Sequence, residues 1–184
     1  MSRTPPSVDD DRGPVIYRAS TARAVALVSV GALSQAVVVP YLDFGLLAPA
    51  LMVLCVVVAA SGLKWSVALP VGFFGGILVD AFGAGLFGVG ALSGVIAAAI
   101  SCWAGAADNG GANRLRLAGV VASAVIAHDL ASVAALGLSG ESWPPLADFL
   151  LLGALPDAAL NALLAYLAGV ALSRLVLTRE KPWT

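Results

Sequence analysis

The chain has 184 residues, 60% of them hydrophobic and 11% charged, with a formal net charge of -1 and a mean hydropathy of +0.95. A water-soluble domain is about 45–50% apolar and about 25% charged, so this composition excludes an ordinary soluble shell and points to an integral membrane protein. The near-neutral charge and the lack of a long basic run exclude a phosphate track, and with it nucleic acid as a partner.

The first 20 residues are polar, with Pro5, Pro6, Pro14 and the acidic run Asp9-Asp10-Asp11. Such a segment buries little apolar surface and is expected to be a disordered tail. It does not read as a cleavable signal peptide, because the apolar run behind it is long enough to cross a bilayer. A crossing takes about 20 apolar residues, and six apolar runs follow, at about residues 21–41, 46–62, 65–83, 86–105, 115–138 and 146–175. The expected organisation is a tail over 1–20, a six-helix membrane domain over 21–176, and a short tail over 177–184.

The first span carries Gln35 and ends near Pro40, and the second has no charge at all. The third holds Pro70 near its start and Asp80 near its end, and a Gly83-Ala84-Gly85 turn leads to the fourth. Asp108-Asn109-Gly110-Gly111 marks the next connection, and Trp143-Pro144-Pro145 the one after the fifth span, which carries His128 and Asp129. Pro156 lies inside the sixth span, where it predicts a kink or break, followed by Asp157 and Asn161. Cys55 and Cys102 lie in apolar runs and read as small buried hydrophobes. No CxxC motif or His/Cys cluster is present, so neither a metal nor another cofactor is expected.

The ten basic residues fix an orientation. Arg3, Arg12, Arg18 and Arg23 precede the first span, Lys64 lies between the second and third, Arg114 and Arg116 between the fourth and fifth, and Arg174, Arg179 and Lys181 end the chain. In a six-span arrangement all ten fall on one side, and the positive-inside rule makes that side cytoplasmic, with both termini. Trp65, Trp103 and Trp143 then fall near span ends, as interfacial anchors. Asp43 and Asp148 fall near the outer interface.

Depth follows from orientation. Gln35, Asp80, His128, Asp129, Asp157 and Asn161 all come to lie in the middle or outer half of four different spans. A charge in an apolar medium is expensive, and intramembrane ionisable residues mark functional sites by default. They also clamp helices by hydrogen bonding. His128 next to Asp129 reads first as a packing or pairing histidine, and Asp157 behind Pro156 as a helix cap. Gly72, Gly76 and Asp80 recur every four residues and share a helix face. Gly72 to Gly76 is a GxxxG pattern that admits a neighbouring helix closely, and Gly88, Gly90 and Gly94 give the fourth span the same property.

Gly72-Phe73 through Gly76, Asp80, Gly88, Ala91 and Leu92 resemble the signature region of the rod shape-determining protein MreD family. Leu155-Pro156 followed by Leu160-Asn161-Ala162-Leu163-Leu164 is similar to a second family pattern, a proline followed by an Asn-Ala-Leu run, and the placement of Gln35 and Pro40 fits too. The likeness covers about residues 21–175. The chain departs from the family pattern at Ala50, where an acidic residue often follows the proline, and at Leu160, where tyrosine is frequent; its acidic tail is also longer than usual.

The resemblance implies a multi-pass protein of the bacterial cytoplasmic membrane and a six-helix bundle like the substrate-binding component of energy-coupling-factor vitamin transporters. It implies a non-enzymatic scaffold of the cell-elongation complex that supports cell shape and peptidoglycan synthesis. The implied partners are a bitopic MreC-like protein and, through it, the actin-like MreB and the RodA glycosyltransferase with its penicillin-binding partner, in contact with membrane lipid. Partner-binding or cavity-lining residues would be Gln35, Gly72, Phe73, Gly76, Asp80, Gly88, Asp129, Pro156 and Asn161. Two other readings remain open. One is a vitamin-transporter subunit with an outward cavity lined by Gln35, Asp80, Asp129, Asn161 and Asp157. The other is an intramembrane aspartyl enzyme pairing Asp80 with Asp129.

Overall fold

The computed structural model describes residues 16–41, 47–83, 86–105, 114–140 and 145–180. The acidic run of the amino-terminal tail, Asp43, the 108–111 connection, the 84–85 turn residues, Trp143 and Lys181 lie outside the described residues.

The helix at the centre of the molecule is the one with no polar face. A segment that is apolar all round belongs in an interior, and Leu51–Ala60 (α2) is buried from Met52 to Ala60. Five helices pack on it: α1 (Thr21–Val37), α3 (Trp65–Phe82), α4 (Val89–Ala104), α5 (Arg114–Leu138) and α6 (Leu155–Val176). The core they share is built of small side chains, among them Val28, Ala32, Val57, Ala97, Val121 and Ala165. The outer surface carries the large ones, including Phe73, Phe74, Phe82, Leu152 and Leu167. Such a surface would be a liability in water and matches a hydrocarbon environment. Thr21–Tyr41, Trp65–Phe82, Arg114–Leu138 and Phe149–Val176 are each long and apolar enough to cross a membrane. The protein is an all-α membrane bundle, as its composition required.

Two of the six expected spans are shorter than expected. At about 1.5 Å per residue, the ten residues of α2 rise about 15 Å and the sixteen of α4 about 24 Å, against a hydrocarbon core of about 30 Å. Helix α2 starts at Leu51 rather than near residue 46, because Pro49 has no N–H and pushes the residue before it out of the helical region. Helix α4 starts at Val89 rather than near residue 86. Gly88 has a φ of +99°, a left-handed conformation that cannot belong to a right-handed helix.

The break expected at Pro156 is a change of helical winding instead. A turn at Leu146–Asp148 runs into a π-helical segment, Phe149–Ala154, and on into α6. The Leu155 N–H donates to the Leu150 carbonyl, five residues back. This wider winding sits immediately before the proline, which has no N–H to give. Cys55 is buried as expected, whereas Cys102 is half-buried and its thiol lies 3.7 Å from the Ala60 carbonyl. Trp65 and Trp103 stand exposed at helix ends.

Helices α3 and α4 meet backbone to backbone. A Cβ on Gly72 would run into the Gly94 carbonyl, and one on Gly76 into the Gly90 carbonyl. The GxxxG spacing of α3 therefore meets a second glycine pair at the same spacing, Gly90 and Gly94, and the seam excludes side chains.

Regular backbone pairing reaches into both segments expected to be tails. Ile16–Ala19 (β1) pairs antiparallel with Leu177–Glu180 (β2), in the register Ile16↔Glu180 to Ala19↔Leu177. The Ser20 N–H donates to the Val176 carbonyl at 3.3 Å and the Ala19 N–H to the Gly62 carbonyl at 3.0 Å. Pairing gives partners to backbone groups that leave the helices just here. The ribbon holds the start of α1, the α2–α3 turn and the end of α6 at one end of the bundle. Arg23, Lys64 and Arg174 belong to this end, and Arg116 closes the α4–α5 connection by donating to the Ala104 carbonyl.

Candidate functional site

The polar residues gather at the end opposite the ribbon, in two groups rather than one. The first surrounds the non-helical stretch 47–50 that leads into α2. Unpaired backbone groups in hydrocarbon cost several kcal/mol each, and here side chains supply the partners. Gln35 Oε1, near the end of α1, accepts from the Leu51 N–H at 2.7 Å. Asn161 Oδ1 accepts from the Ala50 N–H at 2.7 Å, and its Nδ2 donates to the Ala48 and Asp157 carbonyls at 3.2 and 2.9 Å. Asp157 Oδ1 accepts from the Ala48 N–H at 3.0 Å. Pro49 has no N–H, so every amide hydrogen from residue 48 to 51 has a named acceptor. Asp157 and Asn161, four apart, share the face of α6 turned to this stretch. The Asp157 carboxylate thus serves the stretch that leads into α2.

The second group is built on Asp80, at the last turn of α3. Its Oδ2 accepts from the N–H groups of Gly88 at 2.9 Å and Ala91 at 3.0 Å, and its Oδ1 from Gly90 at 2.8 Å. These donors are the orphan amides that open α4, and a carboxylate at a helix amino terminus also meets the positive end of the helix dipole. Asp80 is thus a capping residue supplied by the neighbouring helix. The glycine seam makes this possible, because it brings α3 within carboxylate reach of the α4 backbone.

Next to it, the Ser93 hydroxyl donates to the Val89 carbonyl at 2.7 Å, and Ser93 Oγ lies 2.7 Å from His128 Nδ1. With the hydroxyl proton on the Val89 carbonyl, Nδ1 is the donor to Oγ. In a neutral ring that leaves Nε2 as an acceptor. The Ser132 hydroxyl donates to the His128 carbonyl at 3.0 Å.

Asp129 belongs to neither group. Its Oδ2 is buried with no hydrogen-bond partner among the described residues. Phe73 faces outward, its ring edge-on to Phe74 at 5.6 Å. Among the described residues, no three His, Cys, Asp or Glu side chains converge as metal ligands.

A cavity of about 300 Å³ opens over Asp80, between α3, α4 and α5. Its apolar walls include Leu86, Val89 and Leu136, and its polar side chains are Asp80, His128 and Ser132. A second cleft, of about 370 Å³, runs between α1 and α3 and is lined by apolar residues such as Val25, Val71 and Phe74. Of the residues singled out in the sequence, Gln35, Asp157 and Asn161 come together, and so do Gly72, Gly76, Asp80 and Gly88. Ser93, Ser132 and the 47–50 stretch escaped the sequence reading. Pro49 inside an apolar run was the signal for the last of these. Aspartate followed eight residues later by Gly-Val-Gly-Ala was the signal for the cap.

Compared with protein-family models, curated proteins and solved structures, the chain matches none.

Proposed function

We propose that this chain is a non-enzymatic scaffold of the bacterial cell-elongation complex, held in the cytoplasmic membrane and bound to an MreC-like bitopic protein. The observation that carries the reading is where the intramembrane polar side chains direct their hydrogen bonds. Gln35, Asp80, Asp157 and Asn161 bond to backbone groups of the bundle itself, at the starts of α2 and α4. Side chains used in this way hold a rigid shape, which suits a docking platform, and the MreD-like pattern around Gly72–Asp80 and Pro156–Asn161 adds the partner. The basic end gathered by the ribbon is assigned to the cytoplasm by the positive-inside rule.

The test is purification of the tagged full-length chain from its own host in mild detergent. Co-elution of an MreC-like protein, together with rounded cells on depletion, is the expected result. Recovery of no elongation component would remove the proposal. A second reading, a vitamin-binding subunit of an energy-coupling-factor-type transporter, draws on the cavity over Asp80, whose size is at the small end of ligand pockets. Tight binding of a soluble vitamin to the purified chain would favour it.

A further inference from the structure

Capping α4 does not exhaust Asp80. A carboxylate offers about four acceptor positions, and three N–H groups occupy Asp80. Oδ1 takes one of these and keeps a free lone pair. In the tautomer in which His128 Nδ1 donates to Ser93, whose own proton goes to Val89, Nε2 is an acceptor. Ser132 has committed its proton to a backbone carbonyl and keeps its oxygen lone pairs. All three side chains line the same cavity. Every polar side chain on its wall therefore offers an acceptor, one of them belongs to a carboxylate, and the remaining side chains around it are apolar.

We infer that this cavity binds a protonated primary amine carried on a short apolar body. An ammonium supplies three N–H donors and a positive charge. A hydroxyl supplies one donor and no charge. A carboxylate or phosphate brings a like charge against Asp80 in a medium of low dielectric, where repulsion is strong. A cavity of about 300 Å³ holds the amine end of an amphiphile and not a whole lipid. Leu86 and Leu136, 41% and 38% exposed, form an apolar rim along which a chain can leave toward the bilayer. The same ammonium is presented by a free alkylamine and by an ethanolamine lipid headgroup. The inference does not rest on the scaffold reading, since a chain that recovered no elongation partner would keep this cavity.

The experiment uses the full-length protein in nanodiscs of phosphatidylcholine and phosphatidylglycerol, titrated with decylamine, decanol and decanoate by calorimetry. Decylamine is expected to bind saturably, and about tenfold or more tightly than decanol, the factor given by one charged hydrogen bond. Two variants fill the cavity without touching the α4 cap, Leu136→Trp and Ser132→Val, and each is expected to weaken decylamine at least about tenfold. Both are checked for an unchanged unfolding temperature, so that a misfolded variant is replaced by the other. Equal binding of decylamine and decanol would overturn the inference, as would unchanged decylamine affinity in the folded filled variants. Native mass spectrometry from phosphatidylethanolamine nanodiscs separates the two sources. Retained ethanolamine lipid that Leu136→Trp releases supports the headgroup, and decylamine binding without it supports the free amine.

Discussion

Asp80 and Asn161 do the same work at two places. Each makes three hydrogen bonds to backbone groups where a helix begins inside the bundle. Asp80→Ala leaves three amides of α4 without a partner and is expected to destabilise the protein by about 2–4 kcal/mol. Asp80→Asn keeps one accepting oxygen, so its loss should be smaller. Asn161→Leu keeps the branched outline but orphans the Ala50 N–H and the Ala48 carbonyl at a site only 1% exposed, and a loss at least as large is expected. Reversible unfolding in detergent measures all three. An Asp80→Ala protein as stable as the parent would show that the α4 cap is dispensable.

At the scale of elements, the α3–α4 seam decides whether the cap can form. A methyl group at Gly76 meets the Gly90 carbonyl and the Ala91 α-carbon, which cannot move aside because both sides of the contact are main chain. Gly76→Ala should force the helices apart and cost about 1–3 kcal/mol or more, and it should draw Asp80 away from its amides. Gly119, in α5, has nothing within 4 Å of the place a methyl group would take. Gly119→Ala should therefore leave stability unchanged or raise it slightly, since alanine favours helix over glycine. The two thermal midpoints, measured side by side, separate close packing from helix propensity. Equal midpoints would rule out a tight seam.

For the whole molecule, the ribbon holds residues 16–19 and 177–180 at the same end as the α2–α3 turn, and the positive-inside rule predicts that this end faces the cytoplasm. Labelling of single cysteines in a Cys55→Ala, Cys102→Ala background reads this directly. Ser139→Cys, in the exposed turn after α5, should react with a membrane-impermeant maleimide in intact spheroplasts. Lys64→Cys, exposed in the α2–α3 turn, should react only after lysis. The reverse pattern would invert the orientation drawn from the charges.

How much of this was legible beforehand differs from element to element, for identifiable reasons. The helix over 65–82 and the one over 114–138 were read almost to the residue, because a lipid-facing helix needs a long apolar run with polar ends and nothing else competes with that signal. The π segment before Pro156 and the shortened α2 were not. There the winding depends on which side chains, distant in sequence, take over the bonds a proline cannot make. The enzyme reading paired Asp80 with Asp129, yet Asp80 is tied to amide donors while Asp129 Oδ2 is buried with no hydrogen-bond partner among the described residues.

By itself the sequence determined the membrane setting, the all-helical class, the glycine seam face of α3 and the clustering of positive charge at one end. Each follows from composition or from a spacing within one segment, where transfer free energy and helical periodicity act locally. Only the tertiary structure decided which backbone groups the buried polar side chains satisfy, that α2 and α4 fall short of a full crossing, and that Asp80, His128 and Ser132 share one cavity. Those outcomes depend on atoms that are far apart along the chain, brought together only when the helices close around α2.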